Sequence, residues 1–310
     1  MKPFEQINLY GLNKYFYEIS KLYDIGQMPN KILLSGKKGS GKSTLAYHLI
    51  NYVLSKFEEN KYDIEKLIIN KENRSFKLLQ NKSHPNFYLI DLIDDKKNIE
   101  INQIRQMINY TNKSSFNEIP RFILIDNIEN LNNNSTNALL KIIEEPNQNI
   151  FFILIHNSDK KILPTLKSRC LTFKINLTFS ETVNISNFLL GKNILEFINN
   201  DLINYYSTPG DFINLINFSN EKNIDLNKFT LVNFLYYLID NDYYKKNKFI
   251  KDLLLNYIEL YFLKSYLITN ANNKILNSYF NFIKKINNAN TFNLDTESLF
   301  LEFKSKILNG

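Results

Sequence analysis

Residues Gly36-Lys37-Lys38-Gly39-Ser40-Gly41-Lys42-Ser43 spell the complete G-x-x-x-x-G-K-[ST] pattern. Ahead of them stands the short apolar run 31–35 (KILLS), and behind them a helix-length segment, 43–57. A strand, a glycine-rich turn and a helix are the context in which this pattern forms a phosphate-binding loop. Glycines at Gly36, Gly39 and Gly41 let the backbone fold closely around a phosphate, with N–H groups pointing inward. Ser40 completes the turn, the Lys42 ammonium can reach terminal phosphates, and the Ser43 hydroxyl can ligate Mg²⁺. A nucleotide such as ATP with Mg²⁺ is therefore the expected ligand.

Working outward, the runs 87–91 (FYLID), 121–126 (RFILID) and 150–155 (IFFILI) read as further strands. Their near-continuous apolar character suits a parallel sheet covered on both faces. The alternating run 171–175 (LTFKI) adds a fifth strand. Helices are expected at 43–57, 100–112 and 135–145, the last stopping at Pro146. In that last helix, Ala138, Leu139, Ile142 and Ile143 form the apolar face. The fold class is thus α/β, with helical crossovers between parallel strands. After about residue 177 the pattern becomes helical, with short pieces around a turn signal at Thr208-Pro209-Gly210. From about residue 225 the apolar spacing is that of longer helices, and the aromatics Tyr257, Tyr261 and Phe262 are expected in a core or interface.

The run 122–126 (FILID) ends an apolar strand in a carboxylate. Such a residue, Asp126, stands at the carboxyl edge of the sheet, where it can hold Mg²⁺ directly or through water. The next position is Asn127, where a hydrolysing enzyme of this broad class carries Glu. An amide can bond to water but cannot accept its proton, so binding is expected and efficient hydrolysis is not. Glu129, two residues on, is the alternative carboxylate.

Composition narrows the class further. The chain has 310 residues, 44% hydrophobic and 22% charged, with a net charge of +7. The charge accompanies a joint richness in Asn, Lys, Ile, Tyr and Phe, so it is weak support for nucleic-acid binding. A single cysteine excludes an intramolecular disulfide and fits a reducing compartment. The opening MKPFEQINLYG lacks the apolar core of a signal peptide. The most apolar stretch, 249–268, carries Lys251, Asp252, Glu259 and Lys264. Each would cost about 2.5–3.5 kcal/mol at a bilayer centre, so a soluble cytoplasmic protein without membrane contact is expected. The three histidines show no ligand spacing, and His48 and His84 are read as structural.

Two further segments carry a family resemblance. Residues 137–146 (NALLKIIEEP) resemble the NALLK…LEEP helix of clamp-loader subunits of bacterial replicative DNA polymerases, and 163–170 (LPTLKSRC) resemble their SRC segment. Residues 83–86 (SHPN) and 101–105 (INQIR) are similar to runs in the delta-prime type, and the resemblance covers roughly residues 1–215. It implies a RecA-like AAA+ P-loop domain over 1–177, a small helical lid over 178–222 and an all-helical collar over 223–310. It implies tau/gamma and delta partners in a hetero-pentameric ring, a sliding clamp, and primed DNA held by backbone contacts. Lys42, Ser43 and Asp126 match the phosphate and metal positions. Arg169 matches the arginine finger, which reaches a neighbour's γ-phosphate in trans. His156 and Asn157 both lie near the polar sensor position, and the choice between them stays open.

Departures from the family point to the delta-prime role. With only Cys170, the four-cysteine zinc module of many relatives has no ligands here, so 61–82 must order without zinc. The lid segment 208–211 lacks the nucleotide-contacting Arg of the hydrolysing tau/gamma relatives. Three rival readings are an ATP-hydrolysing tau/gamma-type subunit, another P-loop class such as a nucleotide kinase or helicase, and an adaptor that binds no nucleotide. Only four arginines, Arg74, Arg105, Arg121 and Arg169, argue against a kinase. Lys37, Lys38 and Arg105 are the weak candidates for DNA phosphate contacts.

Overall fold

The computed structural model describes residues 2–93, 96–113, 118–145, 149–269, 273–292 and 297–308. The expected helix stop at Pro146 lies outside them. Strands β1 (Lys31–Gly36), β2 (Phe87–Ile90), β3 (Arg121–Ile125), β4 (Ile150–Asn157) and β5 (Leu171–Ile175) form one parallel sheet in the order β2-β3-β4-β1-β5. Alternate side chains of a strand point to opposite faces, and both faces here are apolar. Ile32, Leu34, Phe122, Leu124, Ile153 and Ile155 pack on one side with α1 (Asn13–Asp24), α2 (Lys42–Leu54) and α3 (Arg74–Gln80). Leu33, Ile123, Ile125, Phe152 and Leu154 pack on the other with α4 (Ile101–Thr111), α5 (Asn133–Glu144) and α6 (Pro164–Lys167). Covering both faces is why these strands read as unbroken apolar runs.

Local chemistry starts each helix. Glu100 and Gln103 form a capping box at the start of α4. Asn132 accepts the Ser135 N–H at 2.8 Å to cap α5. Leu139 and Ile143 of α5 are fully buried, whereas Ala138 and Ile142 are only half-buried. Segment 61–82 is ordered by a carboxylate and aromatics. Glu58 accepts from the Arg74 N–H at 2.8 Å and the Ser75 N–H at 3.0 Å, while Asn73 accepts from the Phe76 N–H at 2.7 Å. Tyr62 stacks on Phe16 at 5.1 Å and meets the His48 ring edge-on.

The chain packs as two compact units, Met1–Ile185 with Thr208–Gly210, and Ser186–Ser207 with Asp211–Gly310. Helix α7 (Phe179–Leu190) and α8 (Pro209–Lys222) are full helices rather than short pieces. The expected turn at Thr208-Pro209-Gly210 is corrected: Pro209 and Gly210 are the first residues of α8. Proline's fixed φ and missing N–H suit the first turn of a helix, so the same dipeptide serves as a start signal. Beyond it come α9 (Leu231–Asp240), α10 (Tyr243–Lys246), α11 (Lys248–Ile268), α12 (Asn273–Thr291) and α13 (Glu297–Phe303). Their core is aromatic: Phe262 lies against Phe282, Phe303 and Tyr279, and Tyr257 against Phe234. Tyr257 and Phe262 are buried, and half-buried Tyr261 rests edge-on against Phe303. Asp201 accepts from the Leu231 N–H at 3.1 Å and pairs with Lys264 at 2.7 Å, tying the loop before α8 to α9 and α11. Among the described residues, no helix is long and apolar enough to cross a membrane.

His48 and His84 take structural places. The His48 ring is fully buried between the Tyr62 hydroxyl (2.9 Å) and the Gln6 carbonyl (3.0 Å), and burial holds its pKa down at about 4. The unfolded chain therefore takes up this proton first, so the stability contributed by a neutral His48 is present above about pH 6.5 and lost towards pH 4. We expect the loss of unfolding free energy between pH 7.5 and pH 5 to be smaller in His48→Gln than in the parent by about 2 kcal/mol. Urea unfolding at both pH values checks this, and equal losses would refute it.

Candidate nucleotide site and an exposed arginine

Three sequence-predicted groups meet at the carboxyl edge of the sheet. The phosphate loop follows β1, Asp126 follows β3, and Asn157 ends β4. Gly39 and Gly41 adopt φ of +81° and +86°, the left-handed region that favours glycine, and Gly41 caps α2. Gly36 is required for a different reason: a Cβ there would lie 2.4 Å from the Ile175 carbonyl oxygen of β5. Among the described residues Ser40 Oγ is buried without a hydrogen-bond partner, an open polar valence within the loop.

The Lys42 ammonium donates to the Gly36 carbonyl (3.0 Å), the Lys37 carbonyl (2.6 Å) and Asn157 Oδ1 (3.1 Å). Burial lowers its pKa to about 8, against the opposing pull of Asp126, Glu129 and Asp159. Ser43 Oγ donates to Asp126 Oδ2 at 2.6 Å. Burial raises the Asp126 pKa to about 6, the Ser43 hydrogen bond opposing it and the Asp91 charge adding to it. A hydroxyl and a carboxylate converging on one point are hard oxygen donors, so Ser43 and Asp126 fit a Mg²⁺ ion brought by nucleotide. The ion would neutralise the buried carboxylate and polarise a terminal phosphate.

The two sensor candidates face different groups. Asn157 faces Lys42, whereas His156 points to the neighbouring strand and bonds to Ser35 Oγ (2.9 Å) and the Lys160 carbonyl (2.8 Å). Asn157 is also held by Glu129, which accepts from its side-chain amide at 2.5 Å and its backbone N–H at 3.1 Å. Asn127 adopts a left-handed backbone, φ +56°, which Asn tolerates better than Glu. Its amide donates to Asp91 Oδ1 at 2.8 Å and accepts from Asn157 at 3.0 Å. Sequence reasoning missed Asp91. The signal was present in FYLID, a second strand ending in Asp, but its pairing beside β3 was needed to place it.

The loop also abuts the start of α8. The Gly210 N–H donates to the Gly39 carbonyl at 3.0 Å, and a Cβ on Gly210 would lie 2.7 Å from Gly39 Cα. Lys37, Lys38 and Arg105 are exposed. Cys170 is half-buried with its thiol pKa pushed up to about 11, so it is a packing residue with little thiolate. Arg169 lies apart from the phosphate loop, in the turn between α6 and β5. Among the described residues its guanidinium donates to the Thr165 carbonyl at 2.9 Å and Glu144 Oε1 at 2.5 Å.

Binding of a fluorescent ATP analogue with Mg²⁺ should be strongest near pH 7. It should weaken below about pH 6 as Asp126 takes a proton, and above about pH 8 as Lys42 loses one. Asp126→Asn should remove the acid limb; a flat profile in the parent would refute the assignment. Gly210→Ala should weaken binding several-fold without altering the phosphate motif itself, because its Cβ displaces Gly39; unchanged affinity in titration would show that the loop yields.

A family model described as DNA polymerase III, delta subunit, matches residues 12–178. Curated relatives include the DNA polymerase III subunit delta' of Buchnera aphidicola subsp. Baizongia pistaciae, 28% identical over 171 residues covering 53% of this chain and 49% of the relative. The DNA polymerase III subunit gamma of Buchnera aphidicola subsp. Schizaphis graminum is 33% identical over 179 residues, 57% of this chain and 46% of the relative. The delta' subunit of Escherichia coli (strain K12) is 24% identical over 155 residues, 50% and 45% of the two chains. The chain spans about half the length of the curated relatives it matches. Among solved structures, a DNA polymerase III gamma subunit-related protein from Thermotoga maritima is similar at 22% identity and a TM-score of 0.40, over 55% of this chain and 49% of that one. The matched family residues make up more than half of the chain and run from the start of α1 past β5. They include every group of the phosphate site and the Ser168-Arg169-Cys170 segment, and the chain belongs to the DNA polymerase III delta-subunit family of clamp-loader-type P-loop proteins.

Proposed function

We propose that this protein is a delta-prime-type clamp-loader subunit that acts mainly in trans, donating Arg169 to the nucleotide of a neighbouring ATPase subunit. The observation that carries the reading is the placement of Arg169. It is exposed, belongs to the SRC segment, and is bonded to Thr165 and Glu144 rather than to this chain's own Lys42, Ser43 or Asp126. A surface guanidinium that, among the described residues, engages only Thr165 and Glu144 suits the charge that develops on a transferring phosphoryl group. Its partners would be tau/gamma and delta subunits in a five-membered ring, loading a sliding clamp on primed DNA in the cytoplasm. Lys37, Lys38 and Arg105 would contribute sequence-independent contacts to DNA phosphates.

The chain's own site would bind ATP with Mg²⁺ and hydrolyse it slowly. Asn127 cannot accept a proton, and each oxygen of Glu129 already accepts a hydrogen bond from Asn157. These engagements weigh against the ATP-hydrolysing tau/gamma-type reading. That rival would be supported by fast turnover of the isolated chain that disappears in Lys42→Ala, and an adaptor role by failure to bind the ATP analogue at all.

The deciding experiment reconstitutes the chain with its tau/gamma and delta partners and measures clamp- and DNA-stimulated ATPase. Arg169→Ala should leave assembly intact and lower turnover by about tenfold or more, since arginine fingers contribute about 10³–10⁵ in rate at a single site. Unchanged turnover in an intact complex would sink the reading.

A further inference from the structure

We propose that Glu144 is a positioning residue for Arg169, setting the guanidinium in the orientation from which it serves a neighbouring subunit. The inference rests on the trans reading of Arg169 given above. Arg169 sits in an exposed turn, and a free arginine side chain there has rotamer freedom that must be surrendered on engaging an anion. Two contacts restrict it beforehand. Nη1 donates to the Thr165 carbonyl of α6, and Nη2 donates to Glu144 Oε1 at the end of α5. Anchors on two separate elements restrict both reach and rotation of the guanidinium, and among the described residues no other group takes its remaining N–H donors.

Glu144 is itself carried by a firmly held element. Leu139 and Ile143 of α5 are fully buried against the sheet. The Lys31 ammonium donates to the Ile143 carbonyl at 2.9 Å, securing the last turn of the helix. The carboxylate is therefore presented from a rigid support one residue beyond a core side chain.

The same ion pair could instead withhold the arginine. Its exposure decides against that. The side chains keep 36% and 50% of their accessible surface, and pairs of this kind shift an equilibrium by no more than about fivefold. That is enough to bias a rotamer and too little to keep a guanidinium from a multiply charged phosphate.

The test uses the reconstituted complex with Arg169→Ala, Glu144→Ala, Glu144→Gln and the double variant Glu144→Ala/Arg169→Ala. Glu144→Ala should lower kcat about two- to fivefold, with assembly and the KM for ATP unchanged. Glu144→Gln should recover most of the rate, because its amide oxygen still accepts from Nη2. In the Arg169→Ala background, Glu144→Ala should cause no further loss, which a merely structural role would not produce. An unchanged or raised kcat in Glu144→Ala overturns the proposal, as does an equal loss in both backgrounds. If Arg169→Ala itself changes nothing, the trans reading fails and this inference with it. If Arg169→Ala is slow and Glu144→Ala is not, only this inference fails.

Discussion

The register that sets Gly36 opposite Asn157 at the carboxyl ends of β1 and β4 is the constraint on which the site depends. It delivers the start of the phosphate loop and the Asn157 amide to the same edge, where Lys42 can bond to both. The neighbouring pairing of β3 with β4 brings the residue after β3, Asp126, to that edge as well. Gly36 is held tight from the other side by the β5 backbone, so no side chain could be accommodated at the mouth of the loop. A shift of one residue in β4 would exchange His156 for Asn157 and leave Lys42 facing an imidazole.

Within that frame the polar groups form one connected set. Asp91, Asn127, Asn157, Glu129 and Lys42 are linked by hydrogen bonds across three adjacent strand ends. Asn127 serves several needs at once: it tolerates the left-handed turn that closes β3, donates to Asp91 and receives from Asn157. A glutamate in its place would meet the strain of that backbone and the charge of Asp91 together. The amide that looks like a lost catalytic group in the sequence is, in the folded protein, a structural bridge.

The two units are stabilised by different chemistry. The sheet unit buries aliphatic strands between two helical layers, and its surface groups at the strand ends are free to specialise. The second unit packs amphipathic helices through aromatic rings, with Phe234, Phe262, Phe300 and Phe303 at its centre. Rings supply large buried area per residue and favour edge-to-face contacts, which suits helices whose sequence is rich in Phe and Tyr and poor in small residues.

Much of the fold was determined by the sequence through local rules. Unbroken apolar runs marked four strands and an alternating run the fifth, and the G-x-x-x-x-G-K-S pattern placed the phosphate loop, because each depends on neighbours within a few residues. Strand ends were legible to within two residues, and the helix start at Pro209 was missed because proline and glycine also signal turns. Only the tertiary structure decided that Asn157 rather than His156 meets Lys42, that Asp91 stands beside Asn127, and that Glu144 holds Arg169. Those pairs are 115, 36 and 25 residues apart, and their contact is set by strand register and helix packing, which no local pattern carries.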